Sequence, residues 1–335
     1  MKSKLLDYLC DPIDKSELEL ENPVYDKMEN IIEGMLTSKS GRNYFIRDGI
    51  PRFVGNDVNQ KSVESFGNEW NFFNFDQFKS NWLNHTVKNT FGSPDIFRGK
   101  VIVDAGAGSG MQSLWMSQSG ADYIISLELS HSVDGIMKEN LQQVDNVDVV
   151  QCSIDQPPIK DSVIDGIVVC HNVIQHTRSV EDTARALWCI VSQGGEFVFN
   201  CYAKNDLGLI RKLRLKLYSV LRNFFSRRSF RFLLNYSRLM SILRFIPILG
   251  LLLEKSSVMV RGDIPKGHHY IKRCYIAGVL NTFDCYGSHS YQHLKSDDEI
   301  KRLITELQPD SSKALNVKQY FSRPQPIGCA LRLFK

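Results

Sequence analysis

Apolar positions along this chain keep two different rhythms. Between residues 99 and 202, short apolar runs recur at 101–104, 123–128, 147–151, 164–170 and 196–201. Runs this short, rich in Val and Ile, predict buried strands. Between them apolar residues return every three or four positions, as in Ser132 to Gln142 and Val180 to Val191, which predicts helices. Gly194-Gly195 makes the turn before the fifth run. Strand and helix in alternation predict a parallel α/β sheet. Further on, Ser296 to Leu307 reads as a helix and Gly328 to Phe334 as a last strand.

The flanks keep neither rhythm. Residues 1–55 read as a small separate unit, closed by an alternating stretch, Asn43 to Val54, that turns at Asp48-Gly49, a hairpin signal. Residues 56–98 are polar and aromatic, with Phe66, Trp70, Phe72, Phe73, Phe75, Phe78 and Trp82, and read as a linker or lid. Residues 205–269 interleave Leu, Ile, Phe and Tyr with arginines at helical spacing, which predicts basic amphipathic helices inserted after the fifth strand. The core is therefore expected at 99–204 and 270–335.

Candidate chemistry concentrates where the first core strand ends. Val101-Ile102-Val103-Asp104 runs into Ala105-Gly106-Ala107-Gly108-Ser109-Gly110. Glycines there let the backbone turn sharply and approach a ligand with no Cβ in the way. An acid, Glu128, ends the next strand, where a carboxylate can accept both hydroxyls of a ribose. Asp104 stands in place to brace the loop. A dinucleotide fingerprint would show GxGxxG, and residue 111 is Met.

With the phrases that follow, this stretch resembles the class I S-adenosylmethionine-dependent methyltransferases. Asn146 to Ile154 is similar to the strand and loop that contact adenine in that family, with Ser153 where many members carry Asp. Ser162 to His176 and Ala186 to Phe199 are similar to its next two phrases. The resemblance implies a Rossmann-like seven-stranded sheet and S-adenosylmethionine as cofactor. It implies a cofactor site of Trp70, Asp104, Gly106, Ala107, Gly108, Gly110, Glu128, Leu129, Ser153, Ile154 and His171. His176 and His293 are the candidate general bases, each closing a phrase that resembles a family one. Trp70 with Phe66, and Asn281 to His293, resemble phrases of one bacterial branch that accompanies polysaccharide and natural-product pathways. The phrase Asn43 to Pro51 resembles the small zinc-ribbon domain found beside such enzymes. Cys10 is its lone cysteine, Ser38 and Ser40 stand where a second pair belongs, and no metal is expected.

Charge adds one feature. The net charge of +4 is unevenly spread, and no acid occurs between Asp206 and Glu254. Residues 209–253 are therefore a candidate for peripheral contact with a membrane surface. Nucleic acid is a weaker candidate for this segment, and the chain lacks the Asn-Pro-Pro-Tyr or Cys-based nucleophile phrase of RNA methyltransferases. The longest uncharged apolar run, Phe245 to Leu253, is too short to span a bilayer. The charged start reads as no secretion signal, and the 8 cysteines include no CxxC pair. A cytoplasmic enzyme is expected, peripheral at the inner membrane face if the basic segment docks there. Its acceptor is read as a small molecule or a glycan- or lipid-linked precursor. The alternatives are an RNA methyltransferase and a non-catalytic methyltransferase-like partner.

Overall fold

Four antiparallel strands open the chain, β1 (Leu18–Tyr25), β2 (Ile31–Ser38), β3 (Asn43–Arg47) and β4 (Ile50–Pro51), in the order β1-β2-β3-β4. The hairpin between β3 and β4 turns at Asp48 and Gly49 with φ of +51° and +72°. Positive φ at both central residues is the tight turn that matches strand twist. The computed structural model describes residues 1–54, 60–203, 209–256, 258–262, 264–265, 267–287, 291–316 and 327–335.

The five apolar runs pair in parallel as β5 (Val101–Ala105), β6 (Tyr123–Glu128), β7 (Val147–Gln151), β8 (Ile167–Cys170) and β9 (Glu196–Ala203). Beyond them, β10 (Leu294–Lys295) pairs with the end of β9, and β11 (Ser311–Asn316) and β12 (Ile327–Phe334) extend the sheet. The order is β11-β12-β9-β8-β5-β6-β7, with β12 antiparallel to β9. The chain steps outward from β5 to β7 and then returns to β8 on the other side of β5. That reversal opens a crevice at the carboxyl ends of β5 and β8, where ligands bind in open α/β sheets.

Alternation along the strands builds two layers. Ile102, Ile124, Ile167 and Val169 face Trp82, Phe97, Met111 and Trp115. Val103, Ala105, Ile125, Leu127 and Val168 face the other way, into a core that includes Leu5, Leu9, Ile46 and Phe53 of the N-terminal unit. That unit also covers the open edge of β7: the Phe53 N–H donates to the Gln151 carbonyl at 2.8 Å. An edge strand is thereby paired instead of left exposed.

Four details depart from the periodicity. The strand expected over 164–170 begins at Ile167, and Ile164 makes only an isolated bridge to Val191. The helix expected over 180–191 spans Val180–Cys189. The helix expected over 132–142 is a short turn, His131–Asp134, followed by Ile136–Leu141. Gly135 separates them, because Asn71 of the preceding segment sits there and its Oδ1 accepts the Ile136 N–H at 2.9 Å. Finally, the helix Tyr270–Tyr286 packs on the basic helices that precede it.

In chain order the longer helices are α1 (Gln60–Phe72), α2 (Met111–Gln118), α3 (Ile136–Leu141), α4 (Val180–Cys189), α5 (Leu209–Phe225), α6 (Phe230–Leu243), α7 (Pro247–Lys255), α8 (Tyr270–Tyr286) and α9 (Asp297–Leu307). Ser296 caps α9 in a reciprocal box with Glu299. Helices α5, α6 and α8 share one apolar cluster, in which Tyr218, Phe225 and Leu233 meet Val279, Phe283 and Tyr286. Helix α8 thus packs with the insertion. Gly278 allows the close approach, since a Cβ there would lie 2.8 Å from Ser241 Oγ.

Candidate functional site

The loop after β5 is held by its backbone and opened by its glycines. Gly106 and Ala107 donate their N–H groups to the Leu127 carbonyl at 2.8 and 3.0 Å. Gly106 has φ +85°, and a Cβ there would lie 2.5 Å from Val173. Gly108 has φ +59°, and a Cβ there would lie 2.9 Å from the Trp70 indole. Side chains at either position would be strained and would fill the crevice.

Glu128 fixes the loop from the neighbouring strand. Its Oε2 accepts the Gly108 N–H at 2.7 Å and its Oε1 the Ser130 N–H at 2.8 Å. The carboxylate is only 6% exposed, yet it lines a cavity of ≈ 380 Å³. Leu129, Ser153 and Ile154 line the same cavity. A second cavity of ≈ 250 Å³ lies beyond the glycine loop, lined by Ala107, Gly108 and His171. The two meet along a wall shared by Phe66, Trp70, Gly106, Asn172, Val173 and His176.

Three residues expected in the site lie elsewhere. Asp104 lines neither cavity. It is buried behind the loop, where its Oδ2 accepts from Ser113 Oγ at 2.6 Å, and Ser113 in turn accepts from Ser126. Gly110 also lines neither: it precedes α2, and a Cβ there would press on Met137 and Leu141. His293 faces backbone, with Nε2 3.0 Å from the Thr177 carbonyl and its own N–H donating to the Gln175 carbonyl. Among the candidate bases only His176 reaches the cavities. Its Nδ1 lies 3.0 Å from the Tyr291 carbonyl. A carbonyl only accepts, so Nδ1 carries the proton and Nε2 is the basic nitrogen. His289, of the same phrase, lies outside the described residues.

Burial pushes Asp104 up to about 6, and the nearby Glu128 charge adds to this, against the Ser113 hydrogen bond. The native state therefore holds this proton more tightly than the unfolded chain, whose carboxyl titrates near 3.8. The Asp104 contribution to stability then falls as pH rises through the window between these values, by about 3 kcal/mol in all. Asp104→Asn is expected to remove that slope. Denaturant unfolding of both proteins from pH 4 to pH 6 checks it, and parallel curves refute it.

Sequence reasoning missed the remaining walls. Glu69 and His85 line the second cavity, beside the rings of Trp82 and Trp115 and beside Asp284 of the phrase that ends at His293. Glu69 belongs to the Phe66-Gly67-Asn68-Glu69-Trp70 phrase, the only sequence signal for it. Pro12, Ile13, Arg42 and Tyr44 of the N-terminal unit wall the first cavity, and no local pattern announces such a long-range contact.

Those N-terminal residues are tied together by charge. Arg42 Nε donates to Asp11 Oδ2 at 2.8 Å, and its Nη2 pairs with Asp14. The Tyr44 hydroxyl donates to the same Asp11 at 3.1 Å. Asp11 is 0% exposed. Burial raises its carboxyl, but hydrogen bonds from Arg42, Ile13, Ser38 and Asp14 outweigh that and leave it below the ordinary value. Burial also pushes the neighbouring Cys10 thiol up to about 11, which keeps it protonated at neutral pH. Among the described residues no group of three His, Cys, Asp or Glu side chains is placed to hold a metal ion. Arg42→Ala strands the Asp11 carboxylate without a countercharge. It is expected to lower the melting temperature by several degrees, whereas Arg42→Lys recovers part of the loss. An unchanged melting curve contradicts the role.

A model of the methyltransferase domain family matches residues 103–199. No curated protein matches the chain. Among solved structures, it is similar to an S-adenosylmethionine-dependent methyltransferase from Mesorhizobium loti, at 22% identity and TM-score 0.29 over 32% of this chain and 49% of that one. A SAM-dependent methyltransferase from Thermotoga maritima aligns at 13% identity and TM-score 0.38 over 78% and 97%. The [4+2]-cyclase SpnF aligns at 18% identity and TM-score 0.32 over 40% and 47%. The chain spans roughly half the length of several such structures.

Proposed function

We propose that the chain, whose residues 103–199 match the methyltransferase domain family, is an S-adenosylmethionine-dependent methyltransferase that methylates a small molecule or a glycan- or lipid-linked precursor by direct in-line transfer. The observation that carries this reading is the single wall shared by two cavities, one beside Glu128 and one beside His171.

The first cavity suits the methyl donor. The bare backbone at Gly106 and Gly108 lets Val173 and Trp70 close against the loop, since a Cβ at either position would collide with them, and these side chains form part of the wall on which the donor would lie. Glu128 uses two acceptor positions on Gly108 and Ser130 and has others for a ribose diol. Ser153 and Ile154 would flank the adenine, with Leu129 beside them. When bound, S-adenosylmethionine supplies a methyl group on a sulfonium, already activated for displacement.

The protein's own share is then alignment and exclusion of water. Trp70 and Phe66 stand over the shared wall, and His176 stands in it. We assign His176 Nε2 as the base that takes a proton from a hydroxyl or amine acceptor. The second cavity offers polar groups on Glu69, His85 and Asp284 and apolar rings on Trp82 and Trp115. Its volume of ≈ 250 Å³ is near the lower end of small-molecule sites, roughly 300 Å³, and suits one compact acceptor group.

The test is a screen of host extracts with isotopically labelled S-adenosylmethionine, read by mass shift. Label in a small or amphiphilic molecule supports the reading. Label confined to RNA, or no product from protein that binds the donor, overturns it.

A further inference from the structure

We propose that helices α5 to α7 form a docking surface for an anionic lipid bilayer. Helix α5 has two apolar faces. One faces inward with Tyr218 and Phe225, which are buried in the helical cluster. The other carries Leu209, Leu213, Leu217, Val220 and Phe224 at spacings of four, four, three and four, so they share one stripe. All five are exposed, Leu209 by 75% and Val220 by 64%.

The stripe continues across the unit. Phe224 meets Phe232 of α6 at 6.5 Å between ring centres, with the Arg228 guanidinium over both rings. Leu239 and Ile242 of α6 and Ile248, Leu251 and Leu252 of α7 are exposed as well. Among these apolar residues stand Lys216, Arg227, Arg231, Arg238 and Lys255, all exposed. No acid occurs in the sequence from Leu207 to Leu253.

The charge selects the occupant. A second copy would set like charges against each other around the stripe. Nucleic acid would pair with the cations but leave the aliphatic side chains in water. An anionic bilayer takes both, burying the apolar stripe among the acyl chains while lipid phosphates pair with the cations. No helix among the described residues is long and apolar enough to cross a membrane, so the contact is with one face of the bilayer.

The docking unit also touches the site. Helix α8, packed on α6, lines the second cavity with Leu280, Asn281 and Asp284. Resting on the proposed methyl transfer, this favours a lipid-linked acceptor within the proposed substrate class.

Flotation of the full chain with vesicles of phosphatidylcholine, with and without phosphatidylglycerol, tests the docking. Binding is expected only to the anionic vesicles, and to weaken as added salt shortens the Debye length from about 10 Å to about 3 Å. The double variant Val220→Asp/Phe224→Asp is expected to lower partitioning about tenfold or more. Arg227→Glu/Arg231→Glu is expected to weaken it too, with donor binding unchanged in both. Because donor binding is measured on the same samples, failure to dock and failure of the methyltransferase reading are separate results. No flotation of donor-binding protein, equal binding to neutral vesicles, RNA binding without vesicle binding, or a dimer dissolved by the double variant would each overturn the proposal.

Discussion

Glu128→Ala is expected to weaken S-adenosylmethionine binding by about a hundredfold or more. The carboxylate has two jobs. It holds the Gly108 and Ser130 N–H groups at 2.7 and 2.8 Å, and it lines the cavity where a ribose diol would sit. A hydrogen bond to a charged group is worth about 1.5–3 kcal/mol. Losing two on the ligand side while freeing the loop gives the hundredfold figure. Glu128→Gln keeps the shape and one acceptor, so it is expected to fall between alanine and the native protein. Calorimetric titration of the three proteins checks the order. Equal affinities would mean that Glu128 is only a structural brace.

His176 carries the second large effect. With the labelled-donor screen supplying an acceptor, His176→Gln is expected to lower kcat by about 10²–10⁴-fold, the usual share of a general base. Donor affinity is expected to stay within threefold, since the native ring faces the wall between the cavities and is held from behind by the Tyr291 carbonyl. A loss confined to KM would make the residue part of acceptor binding, and an unchanged kcat would remove it from the chemistry. His293→Gln serves as the control. Its Nε2 is engaged by the Thr177 carbonyl, so it is expected to cost stability and leave kcat nearly unchanged.

The legible parts of this chain are those in which local sequence and tertiary role coincide. Strand β6 occupies the expected residues because Tyr123 to Glu128 is buried on both faces. The glycine loop is legible because each glycine does a backbone job that no other residue does as well. Its internal division was hidden: Gly106 and Gly108 make room for Val173 and Trp70, while Gly110 serves the packing of α3. Asp104 reads as a site residue from its position beside the loop, and only the contact with Ser113 turns it inward.

The illegible parts are long-range. Gly135 splits a predicted helix because Asn71, distant in sequence, takes the place of a helical turn. The first cavity is closed by Ile13, Arg42 and Tyr44, and these reach it through the pairing of the N-terminal unit with Gln151 at the edge of β7. The serines and lone Cys10 of that unit are read only through its resemblance to a zinc ribbon. They say nothing of the Arg42 guanidinium that ties Asp11 and Asp14 together instead. The outward stripe on α5 was masked for a simpler reason. Periodicity shows that a helix has apolar faces, and only packing shows which of them is left uncovered.

All of this turns on what occupies the cavity beside Glu128. The most direct measurement is titration of S-adenosylmethionine into the intact chain by calorimetry, alongside Gly108→Val, whose side chain would enter the space before Trp70. The expected result is one donor bound per chain by the native protein and none by a folded Gly108→Val variant. No binding by the native protein at millimolar donor, or equal binding by both, would contradict it.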